Sequence, residues 1–571
     1  MDITTENFKE QLPFIRKTIQ EASFFSLDAE FTGLTSERNI FPFDTPEEVY
    51  LKTIENSADF VIIQLGLCAF TIDHESGQVT YKCYNFYCFP KGRYNVFGCQ
   101  GESLRFLAEN GFDFNKLFRS GLSYCCEADE ERMRADLKNR QEQRIAALQE
   151  EAQNDENGSV NMVPVPPASE KMLSEISERI ERFLESEDKD FTITNCNGFE
   201  RKLVYQLIES KYSKLISGSS VPLANKHKGI LIERKRSKEE EQEFEANRII
   251  QENEDLNNNV GLSLVLQELS KARKLIIGHN MLLDLLFVLR QFFRPLPYNY
   301  QEFKKMVREL FPLLLDTKYL CTNAELKVHV NSSVLEHVFD SVQKEPFEMP
   351  HIASGFEEHK YATVDKKLHD AGYDAYLTGQ CFLGLISYFK VDLQNMLKDP
   401  TLKAYFNRIF ILRATEVNYI YTYGKEPSFS REHIYFITFP ENWRSTDILL
   451  RFRNYGQIHI NWVNNNSAFV VLHNKDYAAH VIKTIDKSSA QFTICTLNQF
   501  QAKQQCAGVK RRYDSGSFER FHYTGGKAEK KEIALPVAVP PSVTPGEVAA
   551  FGSPSQPKKA KKTTFADNDD W

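Results

Sequence analysis

Short apolar runs punctuate the first part of the chain. Segment 23–28 (SFFSLD) reads as a buried strand, 59–71 (DFVIIQLGLCAFT) as a second, and the aromatic 80–89 (TYKCYNFYCF) as a third. Residues 1–126 are therefore predicted to be mixed α/β. Leu173, Ile176, Ile180 and Leu184 recur at helical spacing and open a smaller α/β unit at 170–245. KLIIGHN at 274–280 predicts a buried strand running into a helix, within a block at 246–395 that is again α/β. Residues 431–500 alternate as strand, helix, strand, strand, helix, strand, over 433–438, 446–452, 457–463, 467–472, 477–485 and 491–497. That order predicts a ferredoxin-like sandwich.

The remaining stretches read as connectors. Residues 127–169 are a charged helix followed by a Pro-rich linker, and 396–430 form a short connector. Residues 501–571, rich in Gly, Pro, Ser, Ala and Lys, are expected to be a disordered basic tail. Its runs KRR (510–512) and PKKAKK (557–562) suit nuclear import or a solvated tether. No fixed-period repeat is visible.

Composition narrows the class. With 571 residues, 42% hydrophobic and 26% charged, the chain is multidomain and globular. The net charge of −8 argues against coating nucleic acid by bulk charge. It is concentrated, however, in two helix-prone stretches. Residues 127–156 carry −5 and 239–256 carry −7, whereas the tail carries +4, so the rest is neutral. The acidity thus lies in the stretches that flank the predicted insertion, ahead of the KLIIGHN strand, and does not oppose RNA processing. The longest apolar stretch, 61–72, is broken by Gln64 and Gly66 and is too short to span a bilayer, so no membrane association is expected. The N-terminus has no secretory signal pattern. Eleven cysteines without a Cys-x-x-Cys pair predict reduced thiols.

The chemistry lies in carboxylates at strand and helix ends. Asp28 and Glu30, two apart in a strand, share one face. Like charges held together in a buried place repel unless a cation neutralises them, and Mg²⁺ prefers such hard oxygen ligands. Alone, the pair also suits an ordinary exposed turn. Asp284 interrupts the apolar run MLLDLLFVL just after the KLIIGHN strand, where a cap or a core ion pair is the other reading. His369 and Asp374 lie five apart in LHDAGYDAY (368–376), the histidine on a Gly-containing loop and the acid on the helix that follows.

Asp-x-Glu, then Asp, then His-x₄-Asp resembles the DEDD 3′-exonucleases of the histidine subclass, whose fold is ribonuclease H-like. The long interval between Glu30 and Asp284 then predicts a discontinuous nuclease, 1–126 plus 246–395, with 170–245 inserted. The chain further resembles the poly(A)-specific ribonucleases, cap-interacting deadenylases. The resemblance rests on DAEFTG (28–33), GFDFNK (111–116), GFERKL (198–203), GHNMLLD (278–284), LDTK (315–318) and LHDAGYDAY. It implies shortening of mRNA poly(A) tails with release of 5′-AMP and two Mg²⁺ ions per active site. Asp28, Glu30, Asp284 and Asp374 match the metal ligands and His369 the general base. Phe31, Leu34, Lys318 and Leu335 match positions that contact the terminal adenosines, core packing being the other reading for Leu34 and Leu335. Trp462 matches the residue that stacks on the 7-methylguanosine cap, a cation that indole attracts; a buried strand Trp is the alternative.

The resemblance also implies a homodimer and a nuclear and cytoplasmic location. The insertion resembles a single-strand-binding domain whose signature is Arg-x-x-x-His, but Tyr205 stands where that signature has His. Arg201 and Lys202 either contact phosphate there or form an exposed charged pair. The third strand of the C-terminal domain, SAFVVL (467–472), lacks the usual basic-Gly-aromatic signature, so base stacking on its sheet is not expected. A catalytically inactive cap- and RNA-binding scaffold of the same fold is the alternative function.

Overall fold

A computed structural model covers the chain. The structure describes residues 1–36, 39–73, 75–90, 96–154, 163–194, 196–213, 215–222, 228–235, 238–356, 369–485 and 492–503. The basic runs, most of the C-terminal tail and part of the Pro-rich linker lie outside the described residues.

The first part of the chain supplies strands β1 (Asp2–Ile3), β2 (Phe24–Phe31), β3 (Ile62–Ile72) and β4 (Val79–Tyr87). The insertion supplies β5 (Asp190–Ile193), β6 (Ile216–Pro222) and β7 (Lys228–Arg234). Then come β8 (Leu275–Gly278), β9 (Leu314–Asp316) and β10 (Ile352–Ser354). β1-β4-β3-β2-β8-β9 form one sheet, with β10 added beside β4. Only β3 runs against the others. Segments far apart in sequence thus build a single ribonuclease H-like sheet.

Strand periodicity decides what faces what. Phe25, Leu27, Ala29 and Phe31 of β2 join one core, with the helices Phe8–Glu21, Leu262–Ala272 and Leu282–Val288. Phe24 joins the core on the opposite side, and Ser26 there donates to the carbonyl of Ala375 at 2.5 Å. Asp28 and Glu30 continue that second face, toward the helix Ala371–Tyr388. The helix start presses on the sheet at Gly66, opposite Asp28, where a Cβ would lie 1.8 Å from the carbonyl oxygen of Ala371. Only glycine fits there.

The insertion packs β5-β7-β6, an antiparallel sheet, against the helices Pro167–Glu185 and Gly198–Leu207 around Ile180, Val204, Ile230 and Ile232. Arg201 donates to the carbonyls of Cys196 and Lys228, so its guanidinium is used to tie the helix to β7. Two long helices, Glu127–Asn154 and Lys238–Val260, flank the insertion. Arg144 pairs with Glu245 and Glu252 at 2.8 and 2.7 Å and pins them together. The helix Lys238–Val260 runs across the expected boundary at 245, because its charge run continues unbroken into helix-forming sequence.

The connector expected at 396–430 carries structure of its own. β11 (Arg408–Phe410) and β12 (Tyr419–Tyr421) form a hairpin, and Ile409, Ile411 and Ile420 are buried in the nuclease core. Three-residue strands are too short for period-two patterning to reveal.

β13 (Ile434–Thr438), β14 (Ile458–Asn464), β15 (Ser467–Leu472) and β16 (Thr493–Thr496) form an antiparallel sheet in the order β14-β15-β13-β16. The helices Ser445–Phe452 and Ala478–Thr484 cover one face. Phe41 and Phe43 of the nuclease region cover part of the other, where each meets Phe469 edge-on at 4.9 and 5.2 Å. Phe436 lies beneath Phe500 at 4.2 Å. The aromatics that would stack on RNA are thus engaged with the protein itself. The described cysteines are free thiols, and no described helix is long and apolar enough to cross a membrane.

Candidate active site

Five of the residues read from the sequence converge at the junction of β2, the helix Leu282–Val288 and the start of the helix Ala371–Tyr388. Ligand atoms of Glu30, His369 and Asp374 lie within 4.8 Å of one another. Asp28 and Glu30 are half-buried, whereas Asp284 and Asp374 are 7% and 8% exposed. Burial pushes the Asp28 carboxyl well above the usual range, and Asp284, Asp374, Glu30 and Asp370 push it further. Glu30 is raised likewise by burial and by Asp374, Asp284 and Asp370. Asp284 and Asp374 are each pushed up to about 7, chiefly by burial. The charges acting on Asp28 and Glu30 are therefore all carboxylates. A cluster of hard oxygen donors whose main electrostatic fault is mutual repulsion fits divalent cations.

Local structure fixes these groups. His369 adopts a positive φ of 66°, uncommon for a non-glycine residue. That conformation lets its backbone N–H donate to Asp374 Oδ2 at 3.0 Å. Its ring meets Phe106 edge-on at 4.4 Å. Burial lowers the imidazole pKa, which favours the neutral ring, the form able to accept a proton. Asp370 caps the helix through the N–H of Tyr373 and accepts from Asn85 at 2.9 Å.

Phe31 is 7% exposed, its ring 4.5 Å from that of Phe287. Leu34 and Leu335 are half-buried against the two nuclease cores. Lys318 is 8% exposed, with its ammonium 5.9 Å from the Phe410 ring centroid. Trp462 lies elsewhere, on the edge strand β14. It is 42% exposed and touches Phe439 edge-on at 5.4 Å, so it is not a core residue.

Two further residues went unread in the sequence. Asp316, fully buried at the end of β9, accepts backbone N–H groups from Asn280, Met281, Lys318 and Phe410 at 2.9–3.1 Å. One carboxylate thereby joins the turn before Asp284, the backbone of Lys318 and the β11 hairpin. Its signal was a lone acid after the apolar run LLL, the same signal that marks Asp284. His279 bridges Thr317 and Ser333 at 2.9 and 2.8 Å. Burial, with Lys318 nearby, lowers its pKa to about 3, so it is neutral.

Residues 3–382 match the CAF1 family of ribonucleases, and residues 424–503 match an RNA-binding domain family. A poly(A)-specific ribonuclease of Xenopus laevis is 33% identical over 90% of this chain and 83% of its own length. One of Homo sapiens is 34% identical over 91% and 83%. A pre-piRNA 3′-exonuclease trimmer of Bombyx mori is 30% identical over 67% of this chain and 71% of its own.

Proposed function

From the premise that this chain belongs to the CAF1 family of ribonucleases, we propose that it is a metal-dependent 3′-to-5′ exoribonuclease that shortens poly(A) tails and releases 5′-AMP. The observation that carries the reading is the convergence of Asp28, Glu30, Asp284 and Asp374 with His369. The likeness to poly(A)-specific ribonucleases over nine-tenths of the chain supports the choice of substrate.

The four carboxylates would hold the metal. When bound, a pair of Mg²⁺ ions supplies positive charge to the scissile phosphate and lowers the pKa of water. His369, in its neutral form, accepts the proton that the attacking water gives up. Its backbone bond to Asp374 keeps the residue beside the acids. Lys318 offers a cation for a substrate phosphate, and half-buried Leu34 and Leu335 offer apolar surface to the terminal adenosines. Asp316 holds the turns that present Asp284 and Lys318.

The exposed indole of Trp462 suits a methylated guanine, and cap binding is assigned to it. With Phe41 and Phe43 on the sheet, the cap contact is made from the edge strand rather than from the sheet face.

The test is incubation of 5′-labelled poly(A) with Mg²⁺ and, separately, with EDTA. Stepwise shortening from the 3′ end with Mg²⁺, and none with EDTA, is the expected result. RNA binding without Mg²⁺-dependent AMP would make the chain a scaffold. Preferential cleavage of deoxyadenylate would make it a DNA exonuclease.

A further inference from the structure

Gln64 of β3 faces Glu30 directly across the β2–β3 pair, on the side of the sheet covered by the helix Ala371–Tyr388. It is 1% exposed. Its Oε1 accepts the backbone N–H of Ala371, the first residue of that helix, at 3.0 Å. This bond fixes which way the amide points. With the oxygen committed to Ala371, the Nε2 end is left over, and among the described residues it is buried with no hydrogen-bond partner.

A second buried glutamine shows what a purely structural amide looks like in this protein. Gln291 is fully buried, and both of its ends are used. Its Oε1 accepts from the N–H of Ile62 and from the hydroxyl of Tyr124, and its Nε2 donates to the carbonyl of Phe60. Buried donors are normally satisfied in this way, and an exception calls for a reason. For Gln64 the reason lies next door. The residue opposite is Glu30, an acceptor with four lone-pair sites when ionised, and Asp370 and Asp374 act on that carboxylate too.

We propose that Gln64 is a positioning residue of the active site: Nε2 donates to the Glu30 carboxylate when Glu30 binds metal and so fixes which oxygen faces the ion. The opposite end of the same amide holds the helix start that carries His369 and Asp374. One side chain thereby sets the spacing between β2 and that helix and orients a ligand between them. Partners of this kind govern metal affinity as well as rate. The inference rests on the metal-site reading of the acidic cluster.

The test is Mn²⁺ binding to the full chain without RNA, followed by the EPR signal of free Mn²⁺. Gln64→Met keeps the length and removes the whole amide, the oxygen that holds Ala371 as well as the N–H₂ group. Its half-saturating Mn²⁺ concentration is expected to rise by about tenfold, with a cooperative metal-free melt lowered only by the loss of the Ala371 bond. A folded Gln64→Met protein that binds Mn²⁺ like wild type overturns the proposal and leaves the metal site standing. Wild-type protein that binds no Mn²⁺ overturns the metal site, and the proposal with it.

A second measurement covers the case in which Gln64→Met does not fold. In ¹⁵N-labelled wild type, the Gln64 side-chain amide is assigned by its loss in Gln64→Glu, which keeps an oxygen for Ala371. That signal should shift on adding Mg²⁺, and should not shift in a Glu30→Gln background. An amide signal indifferent to Mg²⁺ in wild type overturns the proposal.

Discussion

The backbone N–H of His369 donates to Oδ2 of Asp374 across 3.0 Å, in a left-handed turn that closes just before the helix begins. The proposed base is therefore hung from one of the proposed metal ligands. The helix Ala371–Tyr388 presents Asp374 to β2, and the same junction carries the imidazole.

Asp284 bears a charge that opposes folding in the metal-free protein. Asp284→Asn removes one member of the repelling cluster and keeps its volume. AMP release from poly(A) should fall below detection. The metal-free melting temperature should rise, by about 1–2 kcal/mol of added stability. A thermal melt in EDTA beside an AMP assay checks both. Retained activity would remove Asp284 from the metal site.

The raised carboxylate pKa values set a pH dependence. Asp284 and Asp374 titrate near pH 3.8 when unfolded and near about 7 when folded, so the folded chain holds more protons between those values. Their contribution to stability is complete below the unfolded pKa and is lost as pH rises through about 7. In EDTA the melting temperature of wild type, relative to Asp284→Asn, should decline from acid to neutral pH. Added Mg²⁺ should restore it at neutral pH. A difference that is flat or rises with pH would contradict the assignment.

Trp462 is 42% exposed and meets Phe439 edge-on, so its removal costs little stability. Trp462→Ala should weaken binding of a cap analogue by at least tenfold, since a desolvated cation–aromatic contact is worth about 2 kcal/mol. Cleavage of uncapped poly(A) at saturating RNA should be unchanged. Fluorescence titration and a cleavage assay separate the two effects, and unchanged cap affinity would return Trp462 to an architectural role.

Phe43 is 4% exposed and seals the sheet face of the RNA-binding domain together with Phe41. Truncating a buried Phe costs about 3–5 kcal/mol. Phe43→Ala should loosen the two domains, with faster protease cleavage around 424–433, yet uncapped poly(A) should still be hydrolysed because the acidic cluster is untouched. Proteolysis at the wild-type rate would show that the seal does not hold the domains together.

Much of the site was legible because its signals are local. Period-two alternation placed Asp28 and Glu30 on one face of β2. An acid inside an apolar helix marked Asp284, and a glycine loop before a helix marked His369 and Asp374. The strand order of the C-terminal domain was likewise readable, its central strand 467–472 to the residue. Contacts between distant segments left no such pattern. Gln64 is an ordinary polar residue in a strand until β2 lies beside it, and Asp316 is an ordinary strand end until four N–H groups close around it. The seal of Phe41 and Phe43 on Phe469 joins parts of the chain that no window of sequence contains together.

A metal-dependent exonuclease that acts on adenosine tails from the 3′ end leaves a distinctive set of products. Product analysis on an RNA with a mixed-sequence body and a 3′ adenosine tail tests it most directly. The products should be 5′-AMP and a tail shortened from its 3′ end, with arrest near the body, all requiring Mg²⁺. Internal fragments, nucleoside 3′-phosphates, or the same yield in EDTA would contradict it.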